Sequence, residues 1–336
     1  MTTERHSSSA AIAEGTLGAY LRGLAEDPSD PNRPVLVVQG GGLRGIYSLS
    51  ALAVLEELGL RNAFSRVVGS SAGAINGAYF LAGQAQESIS IYSEDLSNRD
   101  FVCPWRLWKI VDIDYMIEIL KRKHQLDERE MLAAPATLYT VLTDAETAAP
   151  KVVSNRDRSL DVYEVFRATA ALPGLYNKKI ELGVDGRHYV DGGVAGLVPL
   201  AQAQAEDPLA EDSNSEDRRK PHKEALVLLT RGEGHRKTER NIVFRSVVSL
   251  LSHGQSKPVR KKICLADGIY NDMMDTLEAE HAEVPRHTWT LRPTDLERLV
   301  NRTTNDRDRL LDCAELARTD TLNLLAQEHR SSTVGG

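Results

Sequence analysis

Short uninterrupted apolar runs alternate along this chain with longer segments whose apolar residues recur every three or four positions. Val35–Val38 is such a run, and a run without polar alternation reads as a strand covered on both faces. From Gly45 to about Leu58, residues Ile46, Leu49, Leu52, Ala53 and Leu55 fall on one helical face, and Gly59 is placed to cap its C-terminus. Arg66–Val68 is the next short run, followed by a small-residue helix from Ala72 to about Ala82. Two successive strand–turn–helix units predict an α/β fold with a mostly parallel sheet and helices on both faces. Ahead of them, residues 1–10 are expected to be disordered. Leu17, Tyr20, Leu21 and Leu24 then give helical spacing to Ala11–Leu24, ended by the polar segment Glu26–Arg33.

Beyond the second unit, Ser88–Lys123 reads as mostly helical and less regular. Strands are predicted at Leu138–Leu142, Lys151–Val153, Lys179–Leu182, His188–Val190, Ala225–Leu229 and His287–Leu291. Helices are predicted at Val162–Ala171, Asn241–Ser252, Val259–Glu280 and Asp306–Gln327. Glu206–Lys223 has almost no apolar content and reads as a surface loop. Met273 and Met274, with Ile269, Tyr270 and Leu277, form a helical stripe of core type. No second set of motifs follows, so residues 34–330 are read as one domain after an N-terminal extension at 1–33, with 231–330 its mainly helical C-terminal part.

Composition narrows the function. With 41% hydrophobic residues in 336, a sizeable core can form. The formal charge of −7 and the lack of a long basic stripe argue against nucleic acid as a partner. The small patch Lys257, Arg260, Lys261 and Lys262 leaves room only for transient contact with an anionic membrane surface. Three cysteines, Cys103, Cys264 and Cys313, are far apart and form no C-x-x-C, so neither a zinc site nor a disulfide framework is supported. The start of the chain lacks a secretory apolar core, and no stretch approaches the roughly 18 apolar residues of a membrane span. A cytoplasmic protein, peripheral at membranes at most, is the expectation; oligomeric state is not readable.

Two turns carry the chemistry. Gly40-Gly41-Gly42-Leu43-Arg44-Gly45 follows the first strand, and Gly69-Ser70-Ser71-Ala72-Gly73 follows the second. In a G-x-S-x-G turn a serine stands on a sharp strand-to-helix bend, where larger neighbours would clash with strand and helix. Ser71 is then a candidate nucleophile, although an ordinary small-residue turn is an equal reading of the motif alone. Gly40-x-Gly42-x-x-Gly45 also fits a dinucleotide fingerprint, but no carboxylate stands at the end of the second strand to hold a ribose. The same loop can aim backbone N–H groups at an oxyanion, and Arg44 adds a positive charge near it.

A serine hydroxyl needs a base. His235, in the loop after Ala225–Leu229, is the best candidate for a histidine-containing triad; His253, His281 and His287 are weaker. Asp191, in Tyr189-Val190-Asp191-Gly192-Gly193, ends an apolar strand, where burial raises a carboxyl's pKa toward that of a usable base, although Asp-Gly-Gly in isolation is more often just a turn. Phe101–Ile110 holds two of the three tryptophans and precedes Ile113–Leu120. It reads as an insertion whose aromatic residues pack onto the sheet, with a cap that covers the active site and touches membrane as the second reading.

Taken together, the glycine-rich loop at 40–45, the elbow at 69–73 and the Asp191-Gly192-Gly193 turn, in that order, resemble the patatin-like phospholipase family. Arg167–Gly174 and Leu138–Asp144 resemble its segments ahead of the aspartate and at its central strand. The resemblance spans roughly 34–230. It implies a patatin-like three-layer sandwich and a Ser71–Asp191 dyad without histidine. The Gly41, Gly42 and Leu43 N–H groups then form the oxyanion hole, and Gly40, Arg44, Gly45, Gly69, Gly73, Gly192 and Gly193 support the motifs. It further implies hydrolysis of lipid or other acyl esters with no metal or cofactor. One position departs: the family's asparagine before a proline corresponds here to Gly196, ahead of Pro199.

Overall fold

The computed structural model describes residues 13–106, 109–183, 186–205, 224–237, 254–282 and 288–329. The expected disorder at 1–10, the loop at 206–223 and the helix at 241–252 lie outside them. Its centre is an eight-stranded sheet: β1 (Val35–Val38), β2 (Arg66–Ser70), β3 (Thr137–Asp144), β4 (Pro150–Ser154), β5 (Ile180–Glu181), β6 (His188–Asp191), β7 (Ala225–Leu228) and β8 (Thr288–Leu291). The order is β5-β6-β3-β2-β1-β7-β8, with β4 also pairing β3. Strands β3, β2, β1, β7 and β8 run parallel, and the expected α/β class holds.

Side chains along a strand alternate faces, and the core divides accordingly. Leu36, Val38, Val67, Leu138, Leu226 and Leu228 belong to one cluster, whereas Val35, Val37, Val68, Val141, Val227 and Leu229 belong to another. Against the first cluster pack α1 (Leu17–Glu26), α2 (Gly45–Glu57), α3 (Ala72–Leu81), α4 (Ile113–Arg122), α6 (Val162–Ala170) and, from the C-terminal part, α9 (Arg307–Leu325). The second face is covered by α7 (Leu200–Gln204) and α8 (Lys257–Ala282), the latter through Tyr270, Met274 and Leu277. The methionine-bearing stripe is core, as its spacing implied. The helices α5 (Glu128–Ala133) and α7 are too short to show a period and were not expected.

Three expectations are corrected. The first helix begins at Leu17, because Thr16 occupies its N-cap and accepts the Ala19 N–H at 3.3 Å. Helix α2 is buried on every side over 45–55, since α9 lies across the face expected to meet solvent. Among the described residues of Ser88–Lys123, helix is confined to 89–95, with a wide π-turn at Ile91–Asp95, and to α4; between them a bridge joins Val102 and Val111. Gly59, at φ +75°, closes α2 as expected. Among the described residues, no helix is long and apolar enough to cross a membrane.

The register of β3 brings two strand ends together. Its residues 139–141 pair with both β2 and β4, and 142–143 with both β4 and β6. Two strands cannot share one stretch of one edge, so β4 takes one edge of β3 while β2 and β6 share the other. Ser70 ends β2 opposite Val141, and Asp191 ends β6 opposite Leu142. The two strands arrive from opposite directions and stop at adjacent positions.

Candidate active site

The turn after β2 is strained where it carries Ser71. This residue has φ 52° and ψ −135°, a region L-residues enter at a cost of about 1–3 kcal/mol. Neighbouring glycines permit the bend: a Cβ on Gly73 would stand 2.2 Å from the Val38 carbonyl oxygen, and one on Gly69 2.6 Å from the Ala74 nitrogen. The Ser71 N–H donates to Thr169 Oγ1 at 2.8 Å, and that hydroxyl donates onward to the Val141 carbonyl at 2.8 Å. Thr169, buried at the end of α6, therefore braces the strained residue.

Ser71 Oγ–H donates to Asp191 Oδ2 at 2.8 Å, and the Gly193 N–H donates to Asp191 Oδ1 at 2.7 Å. The Thr143 hydroxyl donates to the Asp191 carbonyl at 2.8 Å and accepts the Ala195 N–H at 2.9 Å, which fixes the turn. Gly192 passes so close to β3 that a Cβ would stand 2.0 Å from the Val141 oxygen. Burial pushes the Asp191 carboxyl up to about 6. The Gly193 N–H, the Ser71 hydroxyl and the nearby Arg302 charge act in the opposite direction, toward the ionised form.

The glycine loop faces this pair. Gly40 lies against the elbow, Gly41 against Thr230 and the Arg44 side chain, and Gly42 turns with φ +58°. Gln39 Oε1 accepts the N–H of Thr230 at 2.7 Å, so the end of β7 holds the loop in place. Gly45 opens α2, and its carbonyl accepts from the buried Asn76 Nδ2 at 2.8 Å, while Tyr92 donates to Asn76 Oδ1 at 2.8 Å. The expected part for Leu43 needs correction: its N–H donates to the Arg302 carbonyl at 3.0 Å. It is therefore committed within the fold, and Gly41 and Gly42 remain the loop's candidate oxyanion donors. Ala72, at the first position of α3, has an N–H with no acceptor inside its own helix.

His235 is held elsewhere. The Arg231 guanidinium donates to its Nε2 at 2.8 Å and its ring meets Tyr270 edge to face. Burial and the charges of Arg231 and Arg44 lower its pKa. It does not line the cleft at Ser71. Among the described residues, no group of three or more His, Cys, Asp or Glu side chains could hold a metal ion.

An open cleft, about 1000 Å³ when the solvent at its mouth is included, lies over Ser71 and Asp191. Its walls are mostly apolar, with Leu96, Phe101, Ile113, Met116, Leu172 and Leu175 prominent. Helix α4 is fixed there by Asp114, which accepts from Arg167, from Lys178 Nζ at 2.8 Å and from the Tyr176 hydroxyl at 2.9 Å. The cap reading thus divides: Phe101 is buried in the wall, whereas Trp105 is 90% exposed, and Trp108 lies outside the described residues. Sequence reasoning missed Thr169, Thr143, Asn76, Tyr92 and Arg302. Thr169 and Thr143 stood in stretches singled out beforehand, the segments 167–174 and 138–144.

A family model described as patatin-like phospholipase matches residues 36–203, which hold the glycine loop, the elbow and the Asp191 turn. The uncharacterized protein YjjU of Escherichia coli (strain K12) is 27% identical over 187 residues, 54% of this chain and 51% of that protein. The uncharacterized protein YqhO of Bacillus subtilis (strain 168) is 35% identical over 91 residues, 25% of this chain and 31% of that protein. The chain thus spans about half the length of the first relative and less than a third of the second. Among solved structures, VipD from Legionella pneumophila is similar with a TM-score of 0.44 at 14% identity, covering 89% of this chain and 68% of that one. With half of the sequence matched, and the sheet flanked by helices on both faces, the dinucleotide reading of the glycine loop falls away. The chain belongs to the patatin-like phospholipase family.

Proposed function

We propose that the protein is a serine acyl hydrolase acting on carboxylic esters of lipids, with Ser71 as nucleophile and Asp191 as its base. The observation that carries this reading is the 2.8 Å hydrogen bond from Ser71 Oγ to Asp191 Oδ2, at the floor of an apolar cleft. Family membership implies lipid acyl hydrolysis; the dyad and the oxyanion donors are the finer part of the proposal.

In the first half-reaction the Ser71 oxygen attacks the acyl carbonyl while its proton passes to Asp191 Oδ2. The oxyanion so formed lies against the Gly41 and Gly42 N–H groups, at the positive end of α3. When the ester bond breaks, the departing alcohol takes the proton from Asp191 and the acyl group stays on Ser71. Water then attacks the acyl-serine, gives its proton to Asp191, and the carboxylic acid leaves as Ser71 recovers that proton. A carboxyl at about 6 suits both directions of transfer near neutral pH. The apolar wall accommodates the acyl chain.

Labelling of Ser71 by a fluorophosphonate, with turnover of a short-chain acyl ester by wild type, Ser71→Ala and Asp191→Asn, tests this. Each substitution should lower kcat by about a thousandfold or more. Turnover at the wild-type rate in either variant sinks the dyad. Loss of activity in Ser71→Ala and His235→Ala, with Asp191→Asn active, would restore the triad alternative.

A further inference from the structure

We propose that Tyr92 and Asn76 are positioning residues that tie the apolar wall of the cleft to the glycine loop. An acyl chain lying on Tyr92 then helps to hold the loop's oxyanion donors over Ser71, so that chain binding raises turnover. This rests on the Ser71–Asp191 reading and adds to it a dependence on acyl chain length.

Asn76 lies on α3, five positions after the nucleophile, and is buried. Both hydrogens of its amide point at the start of α2: Nδ2 donates to the Gly45 carbonyl at 2.8 Å and to Ser48 Oγ at 3.1 Å. The Ser48 hydroxyl donates to the same carbonyl at 3.1 Å. Gly45 ends the glycine loop and begins α2, and a tight turn over Gly42–Arg44 connects it to the loop's donors. One amide therefore links the helix that follows the nucleophile to the loop that faces it. Apolar side chains would fill this space without desolvating polar groups, whereas a fully bonded amide fixes a single geometry.

The remaining side of Asn76 faces the wall, where its Oδ1 accepts the Tyr92 hydroxyl at 2.8 Å. Tyr92 belongs to the π-turn at Ile91–Asp95, closed by the Leu96 N–H on the Ile91 carbonyl at 2.9 Å. Turns of this kind recur at functional sites. Ile91, Tyr92 and Leu96 all line the cleft. A Cβ on Gly45 would stand 2.5 Å from the Tyr92 oxygen and 2.9 Å from the Ala72 Cβ. The phenol thus occupies the space that a side chain at 45 would need, and wall, glycine loop and elbow helix meet at one hydroxyl. Oxyanion donors act only when held in place beforehand, and contacts to an unreactive part of the substrate can supply that order.

The test measures kcat and KM for p-nitrophenyl acetate and p-nitrophenyl octanoate, per site titrated with a fluorophosphonate. In wild type, kcat should rise about tenfold or more from the short ester to the long one. Tyr92→Phe keeps the ring on the wall and removes only the hydroxyl. It should lose most of that rise in kcat, while the KM for the octanoate stays within about twofold of wild type. Asn76→Leu should lower kcat for both esters by about tenfold, and Tyr92→Phe should add little to it, because the two act through one network. A merely structural role would lower Tm and leave kcat per titrated site, and its dependence on chain length, unchanged. If Asn76→Leu does not fold, Tyr92→Phe decides alone. A wild-type kcat that does not rise with chain length, a rise that survives in Tyr92→Phe, or additive losses in the double variant overturn the proposal. Failure of wild type to label at Ser71 overturns the dyad reading instead, and this one with it.

Discussion

The stretch 36–203 and the stretch 224–329 build one sheet but do different work in it. The first holds the strained serine, its aspartate partner and the glycine loop, all at turns where backbone conformation is abnormal or crowded. The described residues of the second supply helices and two parallel strands, and they brace the site through Thr230 on Gln39 and the Arg302 carbonyl on Leu43, while Arg302 also lines the cleft. Strain is concentrated in the first part, and its braces are shared: Thr169, Thr143 and Asn76 come from the same stretch, Thr230 and the Arg302 carbonyl from the other. Such a division predicts opposite mutational behaviour. Substitutions among the reacting groups should cost activity while leaving or improving stability, whereas substitutions in the braces should cost stability first.

The largest effect expected is at Asp191. Asp191→Asn should abolish turnover and stabilise the fold at neutral pH. The folded carboxyl titrates near 6, above its ordinary value, because burial disfavours the charge. A raised carboxyl contributes stability while protonated, and that contribution is lost as pH rises through about 6. The corresponding cost at neutral pH is on the order of 3 kcal/mol, and the amide escapes it. The gap between thermal melts of the two proteins should therefore open between about pH 4 and pH 6 and stay constant above pH 6, and a destabilised variant at pH 7 would contradict the comparison. On the same grounds, kcat/KM should fall with decreasing pH below about 6 and level off above it.

Thr169→Val comes next and crosses the boundary between the two behaviours. Valine keeps the shape but removes the acceptor for the Ser71 N–H and the donor to Val141. The expected cost is about 1–3 kcal/mol of stability, together with roughly tenfold lower kcat as the elbow loses its support. Denaturant melts and steady-state rates on one preparation check both; full activity would show that the strained φ needs no brace.

What the sequence disclosed follows the same boundary. Apolar runs such as Val35–Val38 located the strands because both faces of a parallel sheet are covered, and small residues at 69–73 located the elbow because nothing larger fits. Ser71 and Asp191 were legible since one follows and the other ends a strand beside glycines. Arg302 was not: it sits 111 positions beyond Asp191 in an irregular segment, and its contribution to the glycine loop is a backbone carbonyl, which any residue type possesses. The commitment of the Leu43 N–H was hidden for the same reason. Local pattern also misjudged α2, whose outer face is covered by a helix some 260 residues away in sequence, as the Glu57–Arg318 contact illustrates.

That covering helix offers the remaining two predictions, and they differ in burial alone. The Tyr47 hydroxyl donates to Asp320 Oδ2 at 2.8 Å, with both residues buried, and Asp320 also accepts from Thr294. Tyr47→Phe leaves a buried carboxylate one donor short and should cost about 1–2 kcal/mol, read as a lowered Tm with kcat preserved. The Arg318–Glu57 pair joins the same two helices at the surface, with both side chains more than a third exposed. Water and salt screen it, so Arg318→Ala should change stability by no more than about 0.5 kcal/mol, and less as salt is raised. A larger loss from Arg318→Ala than from Tyr47→Phe would mean that α9 is held to α2 by surface charge and not by burial, which reverses the division of labour argued above.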